Sequence, residues 1–246
     1  MYAQQFNMDT IANNLSNVNT AGFKKSRPVF QDLLYSKLPV PDIGTAPSTL
    51  QVGTGVRVVS TFKDFSDGAL MQTDQPLDVA LQGPGFLAVK LPNGSTAYTR
   101  AGALQLSDGR LVNSSGYPIL SITGSEITVP QSVVDLPAIN EDGELIGLDA
   151  TGKQQTIGQL GIGCPANPQA LEALGGGLYT TSETITLGAP GTNARARIVP
   201  AYLEAANVQV VEEMVNLISA QRAYEVGSKA IQAADEMLGQ ANNLRR

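Results

Sequence analysis

A chain of 246 residues is long enough for one sizeable core or two modest domains, and its net charge of −6 argues against nucleic acid as a partner. Hydrophobic residues make up 42% of it but aromatics only 5%, and 25 Gly and 14 Pro point to a middle rich in short strands and turns. Histidine is absent and cysteine occurs once, at Cys164, which excludes histidine acid–base catalysis, Cys/His zinc sites and an internal disulfide; no cofactor is expected.

No apolar run approaches the ~18 residues of a membrane span, and no charged leader with a cleavage site is present. Direct membrane insertion is therefore not expected, and export would proceed without a cleaved signal peptide. The short basic run Lys24, Lys25 and Arg27 reads as a solvated or partner-facing turn.

In chain order, residues 1–20 predict a helix that runs to about Val18. Met1, Met8, Ile11, Leu15 and Val18 follow heptad spacing, with Gln4 in the remaining seam position. Asn19–Gly22 supplies turn formers, with Gly22 suited to the C′ position of that helix. Residues 21–50 mix bulky apolar side chains with prolines and predict an extended connector, in which Phe30, Leu33, Leu34 and Tyr35 form an apolar knot able to dock on a neighbour.

Between residues 51 and 201 the period changes to two, and short candidate strands alternate with Ser66-Asp67-Gly68, Pro92-Asn93-Gly94, Ser107-Asp108-Gly109 and Glu141-Asp142-Gly143, which offer the positive φ that tight hairpins need. This pattern predicts an antiparallel all-β domain, a sandwich or irregular barrel. Gln169–Leu174 suggests a helical turn, and Ser182–Asn193 a long exposed loop.

Residues 202–246 carry the longest element, a proline-free helix from Asn207 to Leu244 that would measure about 55 Å. Val210, Leu217, Tyr224, Ile231 and Leu238 recur every seventh residue, with Met214, Gln221, Ser228 and Asp235 in the intermediate seam positions. A second apolar row, Ala223, Ala230, Met237 and Leu244, lies on another side, so one partner helix cannot cover both. Two heptad segments at opposite ends of the chain imply termini that come together and carry an inserted domain. The expected class is α+β, with paired, coiled-coil-like terminal helices, an inserted antiparallel all-β domain and an extended connector.

Chemistry is sparse. Gly83-Pro84-Gly85 and Gly175-Gly176-Gly177 lack the context of phosphate loops, and Ser60 with Lys63 makes an S-x-x-K only in a predicted strand. Asp64, Asp67, Asp74 and Asp78 could pair as hydrolase carboxylates, but solvated turn roles explain them as well. Asn93 and Asn113 head formal glycosylation triplets whose turn role suffices. No catalytic or metal residue is assigned, and the chain is not expected to be an enzyme.

The stretch MDTIANNLSNVNTAGFKKSRPVFQDLLY, the closing helix from Asn207, LDVALQGPGFLAV and AYTRAGALQLSDGRLVNSSGYPIL together resemble the bacterial flagellar axial proteins of the rod and hook. Total length and the segment after Leu33-Leu34-Tyr35-Ser36 are most similar to the distal rod branch. The resemblance implies a subunit of a helical homopolymer with terminal helices lining a tube, located in the basal-body rod across the periplasm. It implies as partners the proximal rod proteins, the hook protein, surrounding periplasmic and outer-membrane ring proteins and the flagellar export apparatus.

The resemblance also carries assembly contacts. At the N-terminus these are Ile11, Asn13, Asn14, Leu15, Asn17, Asn19, Gly22 and Phe23. On the last helix they are Val211, Glu212, Met214, Leu217, Gln221, Arg222, Tyr224, Lys229 and Ile231, beside the seam positions Val210 and Leu238. Family members usually begin about ten residues before the position of Ala3, so roughly three helical turns of seam are expected to be missing here. Rival readings are another axial role (proximal rod or hook), a cell-wall-processing hydrolase with a helical anchor, and a monomeric adhesin-like β-protein.

Overall fold

The computed structural model describes residues 1–39, 49–130, 137–149, 153–192 and 196–244, and the chain divides into two compact units. The first unit comprises Met1–Ser16, Ser26–Asp64 and Gln209–Arg246; the second comprises Asn17–Lys25 and Phe65–Val208.

In the first unit, helix α1 spans Tyr2–Ser16 and helix α2 spans Val210–Leu244. Helix α1 starts one residue after Met1 and stops before Val18, and α2 starts three residues after the expected Asn207. Glu212 and Glu213 lie in the first turn of α2, where negative charge is favoured by the helix dipole. Four strands, β1 (Ser26–Asp32), β2 (Tyr35–Pro39), β3 (Thr49–Gly53) and β4 (Val56–Lys63), form antiparallel pairs: β1 runs against β4 from Ser26 opposite Lys63 to Asp32 opposite Val56, and β2 against β3. Of the described part of the expected connector, residues 26–32, 35–39 and 49–50 lie in paired strands, whereas residues 21–25 and 33–34 do not. The β1–β4 ladder slips by one residue between Val29 and Phe30, a bulge that leaves Val59 of β4 unpaired.

The second unit is built from antiparallel pairings. Its largest sheet has the order Glu172–Gly175, Leu178–Thr180, Thr96–Thr99, Phe86–Lys90, Ile162–Gly163 and Leu187–Gly188. Shorter pairs join Val79–Gln82 to Arg197–Pro200 and Leu70–Gln72 to Tyr202–Glu204. Leu87, Val89, Leu111, Ile119, Leu145, Leu160 and Ile162 have no exposed surface and form the centre of the core. A second cluster stacks Phe65, Phe86 and Tyr179 edge to face, with centroids 5.4–5.9 Å apart.

Several local expectations need correction. Ser182–Asn193 is not a plain loop, because Leu187–Gly188 closes the edge of the six-stranded sheet against Ile162–Gly163; Asn193 lies outside the described residues. Gln169–Leu174 holds a 3-10 turn only at Pro168–Ala170, and Glu172–Gly175 is a strand. Gly94, Gly109 and Gly143 do take positive φ, but Gly68 does not. Gly68 is needed for another reason: a Cβ there would lie 1.9 Å from the carbonyl oxygen of Ala205.

Strand Tyr202–Glu204 belongs to the second unit, which fixes where its C-terminal boundary falls. A chain ending at Val208 is expected to retain the cooperative thermal transition of the second unit, while one ending at Pro200 should lose it, as measured by near-UV circular dichroism on heating.

Candidate assembly surfaces

Helices α1 and α2 run antiparallel: Asn14 Nδ2 lies 3.5 Å from Glu213 Oε2, and a Cβ on Gly227 would lie 3.0 Å from the Met1 sulfur. On α2 the covered stripe is Glu213, Leu217, Ala220, Tyr224 and Gly227, again at alternating spacings of four and three. Of the expected seam positions, Leu217 and Tyr224 share this covered stripe. Their intermediates do not: Met214 and Gln221 are exposed, and the positions one residue earlier are covered instead. Small residues stand on part of this stripe, Ala220 being buried and Gly227 lying close to the Met1 side chain. On α1 the buried residues are Ala3, Ile11 and Asn14, whereas Met1 and Gln4 are exposed and Met8 half-buried.

Asn14 also ties α1 to β1. Its Nδ2 donates to the Ser26 carbonyl at 2.9 Å, and its Oδ1 accepts from the Ser26 amide at 2.9 Å, so one side chain replaces a strand neighbour. Lys63 of β4 donates from Nζ to Ser26 Oγ at 3.2 Å.

The rest of α2 is open. Val210, Val211, Met214, Val215, Ile218 and Val226 are exposed, and every residue from Lys229 to Ala241 is exposed, including Ile231, Met237 and Leu238. Glu212, Arg222 and Lys229 are exposed as well, and the side chain of Leu244 lies outside the described residues. Phe30 is exposed on β1, and Leu33, Tyr35 and the 91% exposed Leu34 line an open groove of ≈ 580 Å³ with Gln31, Asp32, Thr54 and Arg57.

In the second unit, the basic run departs most from its solvated reading. The Lys24 side chain has no exposed surface; Nζ donates to Glu204 Oε1 at 2.6 Å and to the Ser66 carbonyl at 2.6 Å. Burial pulls the Lys24 ammonium below its ordinary pKa, against the hydrogen bond and charge of Glu204. Arg100, also buried, reaches Glu204 Oε2 and Asp67 Oδ1 at 3.3 Å each, donates to the Gly83 carbonyl at 2.8 Å, and lies 5.1 Å from the Phe86 ring centroid. Its Nε is buried without a partner. Lys25 is half-buried and Arg27 exposed.

Of the other N-terminal positions, Asn13 and Asn19 are exposed and Leu15, Asn17, Val18 and Phe23 half-buried. Gly22 is buried with φ +69°, in the Thr20–Phe23 turn rather than at the C′ position of α1. A Cβ there would meet the Arg100 carbonyl carbon at 2.5 Å. The carboxylates considered for hydrolysis are not gathered into one site: Asp67 pairs with Arg100, Asp78 is buried, and Asp74 accepts from Gln72 Nε2 at 2.7 Å. Among the described residues no group of three or more Cys, Asp or Glu could hold a metal. Asn113 is buried in its own turn, accepting from the amides of Ser115 and Tyr117.

Residues 1–24 match the family described as "Flagella basal body rod protein", residues 80–147 the "Flagellar hook protein FlgE/F/G D1 domain", and residues 199–244 the "Flagellar basal body rod FlgEFG protein C-terminal". The chain is 45% identical to the flagellar basal-body rod protein FlgG of Buchnera aphidicola subsp. Schizaphis graminum, over 98% of this chain and 95% of that relative. The chain belongs to the flagellar basal-body rod protein FlgG family. Family likeness extends to distant bacteria: FlgG of Borreliella burgdorferi is 42% identical over 100% of this chain and 96% of its own length, and FlgG of Bacillus subtilis 34% over 98% and 94%.

Two outcomes test the internal contacts of this rod-family chain. Asn14→Ala removes both bonds to Ser26 and should lower stability by ~1–3 kcal/mol, read from urea unfolding followed by far-UV circular dichroism. Tyr179 is pushed up to about 12, first by desolvation, against the charge of Arg100 and with that of Glu204. A raised phenol pKa contributes stability that is full below about pH 10 and lost as pH rises toward 12, because the unfolded chain releases the proton first. Tyr179→Phe should therefore flatten the loss of thermal stability between about pH 10 and 12.

Proposed function

We infer that this chain is a structural subunit that assembles helically into the distal rod of the flagellar basal body and catalyses no reaction. The observation that carries the reading is the open apolar surface of α2. One stripe meets α1, while Val211, Val215, Ile218 and Val226 form a second row that is exposed in the single chain. A soluble monomer rarely leaves such a row uncovered, and a helical array of copies would cover it. The names of the relatives, all basal-body rod proteins, support the same reading.

In this reading α1 and α2 pair as a coiled coil in the inner wall of the rod. The exposed Phe30, Leu33, Leu34 and Tyr35 then dock on neighbouring copies, and so do the exposed motif positions Asn13, Asn19, Glu212, Arg222 and Lys229. Proximal rod proteins and hook protein would meet the ends of the polymer, ring proteins its outside within the periplasm, and the export apparatus would deliver the chain.

Burying one aliphatic side chain contributes ~1.5–3 kcal/mol. Replacing Ile218 and Val226 together by Glu should raise the concentration needed for filament growth at least about tenfold, followed by light scattering, with the helix content of the monomer unchanged. Undiminished growth would remove this face of α2 from the interface.

A further inference from the structure

The chain passes between its two units at Ser16/Asn17, Lys25/Ser26, Asp64/Phe65 and Val208/Gln209. Within the second unit, three stretches adjoin these crossings: residues 22–25, 66–69 and 204–207. They are far apart in sequence, yet a single set of hydrogen bonds joins them.

Residues 22–25 bond to 204–207 through the Gly22 amide to the Glu204 carbonyl at 2.7 Å, the Asn207 amide to the Phe23 carbonyl at 3.4 Å, and the Lys25 amide to Asn207 Oδ1 at 2.8 Å. Residues 66–69 bond to 204–207 through the Ala205 amide to the Ala69 carbonyl at 2.8 Å, the Gly68 amide to Glu204 Oε1 at 2.8 Å, and Asn207 Nδ2 to Ser66 Oγ at 3.1 Å. Lys24 closes the triangle, donating from one ammonium to Glu204 and to the Ser66 carbonyl. The Glu204 carboxylate thus receives Lys24 and Gly68 on one oxygen and Arg100 on the other, and Arg100 extends the set to Asp67 and Gly83.

We propose that Lys24, Glu204 and Asn207 form a latch that bundles three of the four chain segments crossing between the two units, so that a pull on any one of them is shared by all three. Two features make the latch cooperative. Glu204 and Lys24 have no exposed surface, so separating either of them strands the other's charge away from water. Gly22 and Gly68 admit backbone where a Cβ would collide with Arg100 and Ala205, so the three segments close with no slack. The latch lies inside the second unit and is present in the single chain, so it stands or falls independently of polymerisation.

The test is amide hydrogen exchange on the full chain as a monomer, comparing Lys24→Met, Glu204→Gln and Asn207→Ala. Each variant is expected to speed exchange at Gly22, Lys25, Gly68, Ala205 and Asn207 together by at least about tenfold, while Leu87, Val89 and Ile119 keep their protection. Asn207→Ala leaves the buried charges in place and so reads the latch without their desolvation. If each variant loosens only the bonds of its own side chain, the segments are not bundled and the proposal fails. Equal loss of protection at Leu87, Val89 and Ile119 in Asn207→Ala would also overturn it, since the effect would then be global.

Discussion

A carboxylate with no exposed surface dictates the arrangement around it. Glu204 cannot hold its charge in a low-dielectric interior without donors, and it finds them in Lys24, Gly68 and Arg100. Two cations and two carboxylates, counting Asp67, balance within the cluster, and the guanidinium face rests near Phe86. The backbone had to adapt to this cluster, which is why glycines stand where residues 22 and 68 press against Arg100 and Ala205. The packing of such a site cannot be relaxed one residue at a time: each partner is the reason another can be buried.

The first unit follows a different economy. Among its described residues few are buried and the strands form two-stranded pairs, ribbons that are marginal in water without further packing. Asn14 supplies specificity there, joining α1 to β1 with two bonds and approaching Glu213 of α2. The apolar side chains that would normally finish a core, Val211, Val215, Ile218 and Leu34 among them, are at the surface. For a rod-family subunit this division has a physical logic. One unit is stabilised internally, and the other leaves its apolar surface exposed in the single chain.

Much of this was legible from residue order. Period-two segments separated by Asp-Gly and Asn-Gly became antiparallel strands, and the proline-free stretch became a 35-residue helix. Residue order also marked Phe30, Leu33, Leu34 and Tyr35 as an apolar knot in a connector, and in the single chain all four are exposed. What could not be read was which neighbour each side chain would meet. The edge strand Leu187–Gly188 is two residues long and leaves no periodic trace, so it looked like loop.

The seam of α2 and the burial of Lys24 mark the boundary most sharply. Sequence by itself determined that α2 would be helical and that Leu217 and Tyr224 would share a face, because helical geometry sets spacing locally. It also determined family membership, through motifs at both ends of the chain. Only tertiary structure decided that Glu213 and Ala220, rather than Met214 and Gln221, are covered, since the choice depends on how a partner helix approaches. Likewise, nothing near Lys24 in sequence announces a buried cation. Its partner Glu204 is 180 residues away, and a charge can leave water only where such a partner is already held in place.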